Sequence, residues 1–220
     1  MYEDLRWVGL EWQEGPDVGG PFAPYSQSER REFYLAAWRK LRDGGGIYPC
    51  TCSRKDLEQA LSAPHNDADE IPYPGTCRDK PWPPGNFQSP AGVSWRFRVP
   101  DARAITFQDA LQGDIRFIAG KDFSDFLVWR RDDVPAYQLA CVVDDSAMEI
   151  TEVVRGADLL KSTARQILLY EALALQPPAW AHCKLMTDES GARLAKRHDA
   201  LSLRALRQSG MPPEQVIEKF

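Results

Sequence analysis

No stretch of this 220-residue chain approaches the roughly 20 consecutive apolar residues that cross a bilayer, so a membrane partner is not expected. The first residues, Met1-Tyr2-Glu3-Asp4-Leu5-Arg6, lack the basic-then-apolar order of a secretion signal, and the expected compartment is the cytoplasm. Internal repeats and low-complexity tracts are also missing. Positive charge is in deficit, 27 Lys and Arg against 32 Asp and Glu, a net −5. That excludes a protein that coats nucleic acid along its whole surface, but not a local basic groove, because phosphate contacts depend on the local field. An even cysteine count is lacking too. Five cysteines, three of them close together in sequence, fit reduced thiols and a metal site better than a disulfide framework.

The residues present suit one domain, or one domain with an insertion. Leu5 to Trp12 is read as a helix end and a turn, and Gly15-Pro16 and Gly19-Gly20-Pro21 as loop. Ser26-Gln27-Ser28-Glu29 has the form of a capping box. The helix expected after it carries Phe33, Ala37, Trp38 and Leu41 on one face and ends at Gly44-Gly45-Gly46. Asp56 to Leu61 reads as a short helix, 63–74 as loop, and 81–90 as a proline-rich connector. Val93, Trp95, Phe97 and Val99 alternate with Ser94, Arg96 and Arg98, the pattern of a half-buried strand. Phe126–Trp129 and Ile150–Val154 read as further strands. Residues 136–143 are apolar and suit either a strand or a helix. Ser162 is placed as the cap of a helix through Ile167, Leu168 and Leu173. A helix from about Leu201 and a last short one after Pro212-Pro213 complete an α/β alternation.

Two clusters carry chemistry. Cys50-Thr51-Cys52 is followed by Tyr73-Pro74-Gly75-Thr76-Cys77. Zinc takes four soft or borderline ligands in a tetrahedron, and three thiolates supply three of them. Tyr73, His65 or water is left for the fourth, and a small buried cluster of reduced thiols is the plainer alternative. Further on, Arg193-Leu194-Ala195-Lys196-Arg197-His198 follows the turn Asp188-Glu189-Ser190-Gly191. Such a basic loop suits either polyphosphate or solvent.

Several segments together resemble the catalytic domain of glutamyl-type class I tRNA synthetases. They are Asp4-Leu5-Arg6-Trp7-Val8-Gly9-Leu10-Glu11-Trp12, Gly15-Pro16-Asp17, Pro24-Tyr25-Ser26-Gln27-Ser28-Glu29-Arg30, Val142-Val143-Asp144-Asp145, Glu152 to Leu160 and Ser162-Thr163-Ala164-Arg165-Gln166. Residues 193–197 fall where that family has its KMSKS-type loop. The cysteine pattern with Tyr73 is similar to the family's short, tRNA-modifying glutamyl-Q branch.

The resemblance implies a Rossmann-like catalytic core, N-terminally incomplete, over 1–49 and 136–220, with a zinc-binding insertion over 50–78 and a connective, acceptor-binding subdomain over 79–135. It implies a monomer that activates glutamate with ATP and magnesium, and transfers it to the queuosine base at the wobble position of tRNA(Asp). In that reading Tyr137 and Arg155 bind glutamate, and Lys196 stabilises charge on the departing pyrophosphate, with Arg193 and Arg197 beside it. Cys50, Cys52, Tyr73 and Cys77 then hold zinc.

Two departures temper these expectations. Nothing before Tyr2 resembles the family's first strand and HIGH-type motif, so this piece alone is expected to be inactive or very weak. His182, in Trp180-Ala181-His182-Cys183, does not replace that motif. In the signature loop, Arg193 and Ala195 stand where a lysine and a serine are usual. The competing expectations are the catalytic part of an ordinary glutamyl-tRNA synthetase, or a zinc- and tRNA-binding remnant without catalysis.

Overall fold

The computed structural model describes residues 1–53, 55–56, 73–82, 87–185 and 202–219. Most of the short helix expected from Asp56, the loop containing His65, and the basic loop 193–198 lie outside the described residues. The chain divides into two units, Met1–Ser26 with Lys184–Phe220, and Gln27–Cys183.

In the larger unit, helix α2 spans Arg31–Asp43 and buries Tyr34, Trp38 and Leu41. The capping box expected at Ser26 does not cap it. A 3-10 turn over Gln27–Glu29 intervenes, and Arg30 is the N-cap, without a side-chain cap bond. That shift rotates the buried face: Tyr34 goes inward, and Phe33 is left 47% exposed. The helix ends on Gly44 and Gly45, and Gly45 has φ +69, a left-handed conformation that suits a residue without a Cβ.

Strands β1 (Ile47–Cys50), β2 (Ser94–Phe97) and β5 (Leu127–Trp129) form an antiparallel sheet in the order β1-β2-β5. Trp95 and Phe97 are buried as the alternation predicts. Arg96, expected to face solvent, is buried as well: its guanidinium lies 3.9 Å from the centre of the Tyr73 ring and donates to the Asp125 carbonyl at 2.9 Å. Pairing partners on the other face replace the water it would otherwise need.

The second sheet runs β4-β3-β7-β6. Its hairpin, β3 (Ala104–Asp109) and β4 (Gly113–Ile118), is antiparallel and was not foreseen in the sequence. Strand β6 (Glu152–Gly156) starts two residues later than expected and pairs in parallel with β7 (Ala179–Cys183). Parallel neighbours need a crossover, which α4 (Leu160–Ala172) supplies after a 3-10 turn over Ala157–Leu159. Ser162 is not its cap. It sits in the first turn, where its hydroxyl accepts from Gln138 at 3.0 Å. The ambiguous segment 136–143 is helical, as α3 (Tyr137–Ala147), which buries Leu139, Ala140, Val142 and Val143. Helices and strands therefore mix as an α/β fold.

The smaller unit holds α1 (Tyr2–Trp7), α5 (Leu203–Gln208) and α6 (Pro213–Lys219). Arg207 bridges Asp4 at 2.9 Å and Glu3 at 3.0 Å, and the Ser202 hydroxyl caps α5 by accepting from the Ala205 amide.

Trp38 is fully buried and meets Trp95 edge-to-face at 5.0 Å between ring centres, joining α2 to the first sheet. Trp38→Ala is expected to lower unfolding free energy by about 3–5 kcal/mol, and Trp38→Phe by clearly less. Urea denaturation measures both, and equal costs would show that the buried volume and aromatic contact retained by phenylalanine carry none of the stability.

Candidate active site and cysteine centre

Parallel register puts Arg155 of β6 directly beside His182 of β7. Register neighbours on adjacent strands share a face, so their side chains meet. Helix α4 covers them there, and presents Thr163 and Gln166 one turn apart. Arg155 Nη2 donates to Thr163 Oγ1 at 2.6 Å and to Gln166 Oε1 at 2.8 Å, while Nε donates to His182 Nε2 at 3.2 Å. Among the described residues its hydrogen-bond partners are neutral acceptors, so its positive charge is oriented without a salt bridge.

Behind this group, His182 is 0% exposed and its Nδ1 lies 2.5 Å from Asp109 Oδ2. Asp109 Oδ1 accepts from the backbone amides of His182 (3.1 Å), Leu111 (3.0 Å) and Gln112 (2.9 Å). Burial alone would raise the Asp109 carboxyl, but the His182 ring and these amides outweigh it and hold it down at about 2.

Tyr137, Cys141 and Asp145 recur every four residues along α3, which aligns them on one stripe. Tyr137 is the first residue of the helix, not a strand aromatic, and is 50% exposed. Its hydroxyl is pushed up by burial and by Cys141, and drawn down by the nearby Arg155 charge. Burial lifts the Cys141 thiol to about 11 and the Asp145 carboxyl to about 6; the Arg155 charge opposes both shifts. Tyr137 and Arg155, expected to share a site, are electrostatically coupled. Lys196, Arg193 and Arg197 lie outside the described residues. Sequence reasoning missed Cys141, Asp145, Thr163, Gln166 and Asp109. The four-residue spacing of the α3 stripe was readable only once 136–143 was known to be helical.

At the end of β1 the three sulfurs of Cys50, Cys52 and Cys77 lie within 4.8 Å of one another. Cys52 Sγ is 3.6 Å from Cys77 Sγ, and Tyr73 Oη is 3.5 Å from Cys50 Sγ and 4.0 Å from Cys52 Sγ. Around a tetrahedral zinc, sulfurs sit about 3.8 Å apart and a sulfur and an oxygen about 3.5 Å apart. The donor set and spacing therefore fit a metal ion. The Cys77 amide donates to Tyr73 Oη at 2.7 Å, which fixes the phenol oxygen among the sulfurs. Burial opposes ionisation of Cys77, but hydrogen bonds from the Thr51 backbone, Tyr73 and Cys52 prevail and bring the thiol down to about 6. Burial and the neighbouring thiols lift Cys52 to about 11. Beneath the cluster, Asp125 accepts from Tyr48 Oη and Arg78 Nη1, each at 2.5 Å, and from the Val99 amide at 2.8 Å.

The family model for tRNA synthetases class I (E and Q), catalytic domain, matches residues 1–220. This chain belongs to that family. A glutamyl-Q tRNA(Asp) synthetase of Symbiobacterium thermophilum is 50% identical over 217 residues, covering 97% of this chain and 67% of the relative. One from Nitratidesulfovibrio vulgaris is 46% identical over 215 residues, covering 97% and 66%. A glutamate–tRNA ligase of Sulfurihydrogenibium is 40% identical over 219 residues, covering 99% and 45%. The chain thus spans about two thirds of the glutamyl-Q relatives and less than half of the ligase. A crystal structure of glutamate-tRNA synthetase from Elizabethkingia anophelis superposes with a TM-score of 0.74 at 29% identity, over 91% of this chain and 42% of that one. The synthetase catalytic fold therefore frames the Arg155 group.

Asp145 gives a pH signature. Its folded value of about 6 lies above the ordinary 3.8, so the folded state holds a proton that the unfolded chain has lost. Stability from this group is complete below about pH 4 and falls as pH rises through about 6. Asp145→Asn should therefore stabilise the protein relative to wild type at about pH 8 and not at about pH 4. Urea melts at both pH values check this, and a gain of equal size at both would remove the burial argument.

Proposed function

We propose that the Arg155 group is the glutamate-binding part of an ATP-dependent enzyme. That enzyme activates glutamate as glutamyl-adenylate and transfers it to the queuosine base at the wobble position of tRNA(Asp). The observation that carries the reading is an Arg155 guanidinium oriented by three neutral acceptors, with its charge acting on the Tyr137 hydroxyl, in a chain about half identical to glutamyl-Q synthetases. An oriented, uncancelled guanidinium suits an acidic amino acid, and charge-assisted bonds to a carboxylate are the strong kind.

Arg155 does not present its whole fork. Nε and Nη2 are engaged with protein acceptors, so Nη1 is the nitrogen left for the substrate, and the Tyr137 hydroxyl is assigned to the same ligand. Asp145, nearby in the field of Arg155, sets a negative boundary that disfavours a second carboxylate in the same place. Lys196, with Arg193 and Arg197, is assigned to the ATP phosphates, where positive charge stabilises the departing pyrophosphate, with magnesium. The protein contributes position and field here and forms no covalent bond itself.

Cys50, Cys52, Tyr73 and Cys77 are assigned to zinc. The ion, when bound, supplies a structural cross-link between the end of β1 and the 73–77 turn. The corresponding division of the chain is a Rossmann-like core over 1–49 and 136–220, a zinc-binding insertion over 50–78 and a connective, acceptor-binding subdomain over 79–135. A cytoplasmic monomer completes the proposal.

The test is transfer of labelled glutamate by the protein expressed from its full reading frame. Label should reach tRNA(Asp) that carries queuosine and not the same tRNA without it. Charging of tRNA(Glu) instead would transfer the reading to an ordinary glutamate–tRNA ligase. Absence of any glutamate-dependent ATP–pyrophosphate exchange would leave the non-catalytic remnant. Arg155→Lys, which removes the planar fork, should lower kcat/KM for glutamate roughly ten- to a hundredfold while the KM for ATP stays close to wild type. In the same preparations, metal analysis should find one zinc per chain, reduced in Cys50→Ser.

A further inference from the structure

We propose that His182 and Asp109 are positioning residues that set the orientation of Arg155 by fixing the tautomer of the imidazole between them. The inference rests on the assignment of Arg155 to glutamate, and goes beyond it by naming what holds that side chain in place.

The geometry of the two nitrogens decides the tautomer. Nδ1 faces Asp109 Oδ2 at 2.5 Å, and a carboxylate offers only acceptors, so Nδ1 carries the proton. Nε2 faces Arg155 Nε at 3.2 Å, and a guanidinium offers only donors, so Nε2 must present its lone pair. Thr163 Oγ1, 3.0 Å from Nε2, also accepts from Arg155 Nη2 at 2.6 Å, so the ring and the hydroxyl grip adjacent nitrogens of one edge. Asp109 cannot swing away. Its other oxygen is held by three backbone amides in the β3–β4 turn and on β7. The Gln112 side chain also donates to the His182 carbonyl at 2.7 Å, tying the turn to the strand that carries the ring. A long, flexible guanidinium stem is thereby held at one edge by groups fixed to strand and turn backbone. Binding that uses its free end need not order it first.

Asp109→Asn tests this without a change of shape. The amide oxygen retains the three backbone bonds, while the amide nitrogen now donates to His182 Nδ1. The ring proton must then move to Nε2, where it opposes the Arg155 Nε–H. Long-range nitrogen–proton NMR of the protein from its full reading frame should find the His182 proton on Nδ1 in wild type and on Nε2 in Asp109→Asn. The Arg155 Nε–H signal should shift and exchange with water about tenfold or more faster in the variant, and the Kd for L-glutamate should rise by about tenfold to a hundredfold. His182→Gln, whose carbonyl can still accept from Arg155, should keep glutamate affinity within about threefold of wild type. A purely structural role would lower Tm in either variant and leave the Nε–H signal and the affinity of the folded protein unchanged. That result overturns the inference, as does a wild-type proton on Nε2. If wild type does not respond to L-glutamate at all, the functional assignment falls, while the tautomer and the Nε–H exchange still decide the positioning claim.

Discussion

A carboxylate sealed from water must find a donor for each lone pair, and Asp109 is built into the fold on those terms. It takes two donors from the turn that follows β3 and two from His182, one of them backbone and one ring. The two turn bonds are local, while the two from His182 join pieces 73 residues apart in sequence. The β3–β4 hairpin, the parallel strand β7 and, through the imidazole, β6 and α4 are tied at one point. Losing a buried charged acceptor's partners costs far more than an ordinary hydrogen bond contributes. The register of β7 between β3 and β6 therefore follows from this site as much as from apolar packing. The ladder between β3 and β7 is short, with Asp109 opposite Trp180 and the Ala110 amide donating to the Trp180 carbonyl at 2.9 Å, so the side-chain bonds reinforce it.

The same logic separates two adjacent residues on α3. Asp144 is surrounded by donors: Arg30 Nε at 2.6 Å, Tyr34 Oη at 2.9 Å and Gln27 Nε2 at 2.9 Å. It anchors α2 and the turn before it to α3, and also explains why the chain starts α2 at Arg30, where the guanidinium reaches Asp144, and not at the serine offered by the capping box. Asp145, one residue on and about 100° around the helix, has among the described residues only Tyr170, at 3.5 Å, as a hydrogen-bond partner, and burial lifts its carboxyl to about 6. One acidic residue is structural and the next faces Arg155, because a helix sends neighbours to different surroundings.

What was legible in the sequence follows this division between local pattern and distant partners. The β2 alternation, the cysteine spacing and the juxtaposition of Tyr137 with Arg155 were readable, the last through resemblance. The hairpin β3–β4 was missed although Ile105 and Phe107 alternate with Thr106 and Gln108, and Ile115 and Phe117 with Asp114 and Arg116; each run is short, and the turn between them offers only Gly113 as a signal. Ser162 and Ser26 look like caps, yet side chains distant in sequence determine where those helices begin. His182 was set aside because it lacks the context of a known motif. Its partners, Asp109 and Thr163, are 73 and 19 residues away, and no local rule joins them.

Two ways of holding an arginine coexist in this molecule, and the contrast bears on what each is for. Arg30 is buried against Asp144, charge against charge, and has no field left to offer. Arg96 lies over the Tyr73 ring and donates to a backbone carbonyl, which packs the floor of the cysteine cluster. Arg155 is as firmly held as either, but by an imidazole, a hydroxyl and an amide. Rigid placement removes the entropy cost of ordering a long side chain, and neutral partners leave its charge unspent. Placement with an open charge is what a binding site for an anion requires, and placement with a closed charge is what a core requires. The difference lies in the partners and not in the arginine, which is why residue type and spacing alone identify Arg155 only through its relatives.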